Sequence, residues 1–406
     1  MEVRIKALGG RSLSQGDLGG SLGGPFLNME IHMKKSLLAL AVLSAFAGVA
    51  SAQSSITLYG RVDAGYTRFD PKQGNTSDIS ATSGLASGNL GGSRLGFRGT
   101  EDLGGGLKGV FVLESGFGLD DGTSGQGGRL FGRQAYMGVT GGFGGLVMGR
   151  LATFSSGTGD FDKFGSLDPF RTGAGILGFQ KVMSSANSLR LDNAIAYVTP
   201  NMGGFSAGVG YTFRLSGQEI VGGSGANNNG YVSYINFSSG PFYGVVTYDS
   251  IKLGEIATDP TQKHLQIGAS WDFKFMKLSF AYADETNQYA AGPAGVSFTG
   301  TVLGTTNSTG TQTLQANGAD AQALAFGVIV PFGAHSIRGA YHMRDVDSTP
   351  TTGEAERTGW SLGYEYALSR RTTFYAYYGD VSDKKAYKIG NWGGATQGFL
   401  GLSHAF

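Results

Sequence analysis

From residue 53 onward the chain alternates between apolar and small or polar residues, in short runs joined by two kinds of connection in turn. In 264–272, Leu265, Ile267, Ala269 and Trp271 share one face, and His264, Gln266, Ser270 and Asp272 share the other. In 277–283, Leu278, Phe280 and Tyr282 alternate with Lys277, Ser279, Ala281 and Ala283. In 336–344, Ile337, Tyr341 and Met343 alternate with Ser336, Arg338, His342 and Arg344. A period of two marks a strand whose faces meet different media, and no stretch keeps a helical apolar period for three turns. About sixteen such segments of roughly 8–12 residues follow one another. Every second connection is tight: Glu101–Gly105, Thr140–Gly144, Pro200–Gly203, Ser238–Gly240, one near Phe273, Phe332–Ala334 and Leu368–Arg370. The others, 68–90, 118–128, 153–186, 214–229, 250–262, 286–318, 345–355 and 381–395, are long and polar.

The N-terminal region explains which medium the chain meets. The one long apolar run, Ser36 to Ala50, is shorter than the ~20 residues of a spanning helix. Lys34 and Lys35 precede it and Ala50-Ser51-Ala52 follows, the layout of a secretory signal peptide cleaved after Ala52. Residues 33–52 are therefore expected to be the signal, and 53–406 the mature barrel. Residues 1–32, upstream of Met33-Lys34-Lys35, are read as an extension from a start codon placed too early. The mature part then has 354 residues, with 26 basic and 27 acidic side chains. This balance gives no case for a nucleic-acid partner, and the absence of cysteine removes thiolate metal sites, disulfides and cysteine nucleophiles. The 71 glycines follow no Gly-X-Y period, so they do not make a collagen.

A chain exported without a spanning helix can live in a bilayer only as a closed barrel, because lipid satisfies no backbone N–H or C=O. Short turns at one end and long loops at the other are the mark of an outer-membrane barrel. Ten residues at ~3.3 Å each, tilted ~40°, cross about 25 Å, the height of its apolar band. The expected fold is all-β: a sixteen-stranded antiparallel transmembrane barrel. The last segment, Leu400 to Phe406, alternates and finishes on an aromatic residue.

Several segments resemble the trimeric general porins of Gram-negative bacteria, most closely the beta-proteobacterial branch. They are Leu58-Tyr59-Gly60-Arg61-Val62-Asp63, SRLGFRGTEDLGGGLKGVFVLESGF (93–117), GRQAYMGV (132–139), NAIAYVTPN (193–201), RRTTFYAYYG (370–379) and GLSHAF (401–406). The resemblance implies a homotrimer in outer-membrane lipid and lipopolysaccharide, inserted by the barrel-assembly machinery, that passes small hydrophilic solutes and ions by diffusion without a cofactor. It also implies a third loop folded into the lumen, here about Leu151 to Ser188, whose acids face wall arginines. Matched residue by residue, the wall arginines fall on Arg61, Arg94 in the second strand, Arg133 in the fourth and Arg190 just after the loop. The acids of the constriction would be Asp160, Asp162 and Asp168 on the loop and Glu114 on the third strand. Strand parity independently turns Arg94 inward, since Leu95 and Phe97 take the outer face. An outward arginine at mid-height would cost roughly 2–4 kcal/mol. With Arg338 also on the inner wall, a weak anion preference is expected. Phe406 is the expected assembly signal.

Other motifs carry less. Gly173-Ala174-Gly175-Ile176-Leu177-Gly178 matches a dinucleotide fingerprint but lacks the strand, helix and downstream acid that would make it one. Asp160-Phe161-Asp162 lacks the terminal glutamate of a calcium loop. His264, His335, His342 and His404 have no zinc spacing, and no G-x-S-x-G elbow is present, so an enzyme is not expected. A surface adhesin or structural barrel is the alternative, for which loop 286–318, rich in Gly, Thr and Asn, would serve.

Overall fold

The computed structural model describes residues 54–72, 81–170, 177–179, 183, 190–215, 217, 228–254, 260–288, 318–347, 354–384 and 394–406. The signal-peptide and start-codon expectations, the 173–176 glycines and most of loop 286–318 fall outside the described residues. Among the described residues no helix is long and apolar enough to cross a membrane. Strands cross instead. They are β1 (Ser55–Pro71), β2 in two halves (Thr82–Ser87 and Arg94–Gly104), β3 (Leu107–Gly116), β4 (Gln134–Gly141), β5 (Gly144–Ala152), β6 (Arg190–Val198), β7 (Phe205–Thr212) and β8 (Asn228–Ser239). Then come β9 (Phe242–Leu253), β10 (Thr261–Asp272), β11 (Lys277–Gln288), β12 (Ala319–Phe332), β13 (His335–Val346), β14 (Ala355–Ala367), β15 (Thr372–Lys384) and β16 (Gly394–Ala405). Each pairs antiparallel with the next, and β16 pairs with β1 from Arg61↔Ala405 to Pro71↔Ala395, so the sheet has no edge.

The faces separate as the alternation implies. On β10, Ile267 is 41% exposed and Gln266 is 0% exposed; on β11, Leu278 is 41% exposed and Ala281 is 0% exposed. The outward set meets lipid and the inward set meets the lumen. Around the short-turn rim runs a chain of rings, Phe205–Phe237–Phe242–Trp271–Phe273–Phe275, with successive centroids 4.4–6.3 Å apart. This is the interfacial position that aromatic girdles occupy in such barrels. Between β2 and β3 the turn uses Gly104, Gly105 and Gly106 at φ 83, 61 and 82, a conformation that side-chain-bearing residues rarely adopt.

The structure corrects three boundaries. The first long connection is not 68–90: β1 runs to Pro71 and β2 starts at Thr82, with a six-residue break, Gly88–Ser93, inside β2. Pairing with β1 holds both halves, which local polarity does not reveal. Leu151 and Ala152 belong to β5 and not to the third loop, because they still pair with β6. Arg133 stands one residue before β4, and Arg190 is the first residue of β6.

The inner wall of β10–β15 is built of small residues because loop three lies against it. Phe164, Leu167, Phe170, Leu177, Phe179 and Met183 of the loop join one buried cluster with Ala281, Ala283, Ala323, Ala325 and Ala340 of the wall. A Cβ on Gly327 would stand 2.5 Å from Pro169 Cγ, and one on Gly363 would stand 2.7 Å from Phe170 Cε1. Gly268 and Gly379 face Leu167 and Leu177 in the same way. Polar side chains of the wall then hold the loop by its main chain. Tyr243 Oη donates to Lys163 O (2.6 Å), Lys277 Nζ to Ser166 O (2.7 Å), Arg338 Nη1 to Pro169 O (2.6 Å) and Gln266 Nε2 to Met183 O (2.5 Å). At the start of the loop, Ser155 Oγ donates to Asp249 on β9 (3.0 Å). Behind these, Arg344, Glu285 and His264 form a buried charged network, with Arg344 Nη2 at 2.5 Å and His264 Nε2 at 3.2 Å from Glu285.

At the seam, Gly60 N donates to Phe406 O and Phe406 N to Gly60 O, both at 3.1 Å, and the Phe406 ring covers Gly60, where a Cβ would collide with it. Deleting Phe406 removes both bonds, each worth roughly 0.5–1.5 kcal/mol, together with the ring. We expect a severalfold lower yield of heat-modifiable barrel in the outer-membrane fraction, read by gel migration with and without heating. Parental yield would mean that closure does not depend on this residue.

Candidate functional site: the arginine wall and the third loop

Strands β1 to β4 bring the basic residues together, opposite the small-residue wall that carries loop three. Arg61, Arg94, Arg98, Arg133 and Arg338 border one cavity of about 570 Å³, with Glu114, Asp160, Asp162 and Asp168. On β3, Glu114 is 4% exposed and sits at the centre of the wall. Arg133 Nε donates to it at 2.6 Å, Tyr59 Oη at 3.0 Å, and Arg94 Nε lies 3.6 Å away. Arg133 Nη2 also donates to Thr158 Oγ1 of the loop (3.0 Å), joining wall and loop directly. Arg61 Nη1 donates to Ser403 Oγ on β16 (2.8 Å).

The loop acids have unequal tasks. Asp160 is turned to the lumen, 3.6 Å from Arg98 Nη2, and accepts from Tyr136 Oη at 2.8 Å. Asp162 accepts from the backbone N–H groups of Gly157 (2.6 Å), Phe164 (3.1 Å) and Gly165 (2.8 Å). Asp168 accepts from Phe170 N and Phe179 N, both at 2.9 Å, and so ties two parts of the loop together. These two carboxylates hold the loop's shape, although both border the cavity. Arg190 is set back: its Nε donates to Arg133 O at 2.8 Å, and it is not among the residues bordering the cavity. Sequence parity missed Arg98, although it shares the inward parity of Arg94 and Gly96. Its side chain is 50% exposed, and its guanidinium lies 4.3 Å over the Tyr59 ring. Among the described residues no group of three or more His, Cys, Asp or Glu could hold a metal ion.

A closed sixteen-stranded barrel with a loop laid inside it, and with charged side chains facing a shared cavity, has its likeness among known proteins. A family model described as Gram-negative porin matches residues 39–386. The chain belongs to that family. An outer membrane porin protein of Bordetella pertussis is 35% identical over 92% of this chain and 100% of its own length. Outer membrane porin protein 32 of Delftia acidovorans is 38% identical over 61% of this chain and 68% of its own length. Among solved structures, an anion-selective porin from Comamonas acidovorans superposes with a TM-score of 0.68 at 27% identity, covering 87% of this chain and 100% of that one. The protein is thus an outer-membrane channel for passive diffusion of small hydrophilic solutes and ions, and it is not an enzyme.

The geometry distinguishes arginines at the open face of the porin's cavity from those behind it. Replacing Arg94 and Arg98 together with serine should shift the anion-to-cation permeability ratio toward cations by about tenfold, the equivalent of ~1.4 kcal/mol. Arg190→Ser should shift it far less. Reversal potentials in planar bilayers read both, and an equal shift from Arg190 alone would contradict the placement.

Burial raises the Asp162 carboxyl to about 6, against the pull of the three amides and Lys163. The ordered loop therefore holds a proton where a released loop, with an ordinary carboxyl near ~3.9, would not. This group's contribution to loop order is full below about pH 4 and falls as pH rises through about 6. Open-channel current noise should accordingly be lower at pH 5 than at pH 7.5, and Asp162→Asn should flatten that difference.

Proposed function

We propose that this porin is an anion-preferring homotrimer whose narrowest passage lies between loop three and the arginines of β1, β2 and the residue before β4. The observation that carries the preference is the imbalance on the cavity's open face. Five arginines, Arg61, Arg94, Arg98, Arg133 and Arg338, border the cavity against four acids, and of these Asp162 and Asp168 turn to backbone amides and Glu114 to Arg133, Tyr59 and Arg94, while Asp160 faces the lumen. Guanidinium keeps its charge at any relevant pH, so the surplus is permanent. Opposed charges across a narrow aqueous path orient dipolar solutes and favour one sign of ion. On this reading Arg61, Arg94 and Arg133 line the constriction with Glu114 and Asp160, Arg190 supports Arg133 from behind, and Asp162 and Asp168 hold the loop in place.

The trimer reading is supported by the outer surface. Toward the short-turn half, β1 to β5 present Ile56, Leu58, Leu95, Phe97, Leu146 and Met148, an apolar face without exposed Trp or Tyr. Beyond it, β8 to β15 expose Tyr231, Tyr248, Trp271, Trp360 and Tyr378, suited to lipid and lipopolysaccharide. Residues 33–52 would direct export. Phe406, with outward Leu400 and Leu402 before it, would be read by the barrel-assembly machinery.

The test is the zero-current potential of the purified porin in a tenfold potassium chloride gradient across a planar bilayer. A potential of the sign set by chloride is expected. A potential of the sign set by potassium would overturn the anion preference, and the absence of conductance steps would overturn the channel.

A further inference from the structure

The break inside β2 has a construction of its own. Ala64 pairs with Ser87 and Arg61 pairs with Arg94, so only Val62 and Asp63 of β1 stand opposite the six residues Gly88–Ser93. Four residues more than the sheet can hold must leave its plane, and they leave it inward. Leu90 is 1% exposed and packs in the cluster that holds Leu177 and Phe179 of loop three. Buried Asp63 organises the segment: its carboxylate accepts from Leu90 N (3.3 Å) and Tyr375 Oη (3.1 Å), and its carbonyl accepts from Gly88 N (2.8 Å) and Ser93 Oγ (3.1 Å). Ser87 and Ser93 hydroxyls, 2.9 Å apart, close the base.

The tip of this bulge lies among the wall arginines. A Cβ on Gly91 would stand 3.4 Å from Arg61 Cδ and 3.7 Å from Arg61 Cζ, and one on Gly92 would stand 2.9 Å from Arg133 Nη1. Gly92 O accepts from Arg94 Nη1 at 3.1 Å. Leu90 and Gly91 border the same cavity as the arginines and loop three. We propose that Gly88–Ser93 is a second constriction element beside loop three. In this role the Gly91-Gly92 dipeptide seats three guanidinium groups and helps to set which ions pass. This rests on the constriction reading given above.

Gly91 can be tested with little steric disturbance. Its added Cβ would make ordinary van der Waals contact with Arg61, and its φ is not left-handed. Gly91→Asp places a carboxylate beside Arg61 and should lower the anion-to-cation permeability ratio by about threefold or more. Gly142→Asp makes the same charge change in the β4–β5 turn, where a Cβ meets nothing within 4 Å, and should keep the parental ratio. Both are read as reversal potentials on heat-modifiable protein. A Gly91→Asp ratio equal to that of Gly142→Asp would overturn the proposal. If the acid prevents folding, Gly91→Asn decides by single-channel conductance: a fall supports the proposal and the parental value overturns it. A parent without conductance steps would instead fail the channel reading, a result separate from either variant's.

Discussion

Lipid offers the backbone no hydrogen-bond partner, and the rest of the structure follows from that. Each N–H and C=O within the apolar band must meet another strand, so the sheet closes, and the pairing of β1 with β16 does the closing. Closure makes the inner surface a separate compartment with its own demands. A polar lumen and an apolar exterior on every strand require alternation, and alternation is why small and charged residues share the inner face. The final residue joins this scheme through Gly60, whose lack of a side chain gives the Phe406 ring its place.

The lumen is divided into two unlike halves. On β10–β15 glycine and alanine make the wall shallow enough for a loop with several phenylalanines and leucines to lie against it. On β1–β4 arginines extend from the wall and are spaced by one buried glutamate. Neither half would narrow the passage alone. A long loop without a fitted wall would lose its buried apolar contacts, and unopposed arginines would repel one another. Glu114 answers the second difficulty by meeting Arg133 directly and Arg94 at longer range.

Much of this was legible in the sequence, for a physical reason: strand parity is a local property. The outward run Leu278, Phe280, Tyr282 and the inward Arg338 and Arg344 follow from counting by two, and the inward Glu114 follows in the same way. The alternating turns and loops gave the strand number for the same reason. What could not be read depends on distant partners. The break at Gly88–Ser93 sits in a stretch of Gly, Asn and Ser that looks like an ordinary loop, and only pairing of both flanks with β1 shows it to be a bulge. The two tasks of the loop acids were equally hidden, because Asp160, Asp162 and Asp168 differ in which way the loop turns and not in chemistry. Arg98 has the same inward parity as Arg94, and what parity does not carry is its place over the Tyr59 ring and beside Asp160 of the loop.

Loop three is held largely by its carbonyl oxygens. Tyr243, Lys277, Arg338 and Gln266 each reach a main-chain oxygen of the loop. Such a grip reads where the loop runs and is indifferent to which residue stands there. Residues on the loop's free side can therefore change over evolutionary time without releasing the loop from the wall. Solute preference is then a trait that can be altered separately from the scaffold that holds the loop.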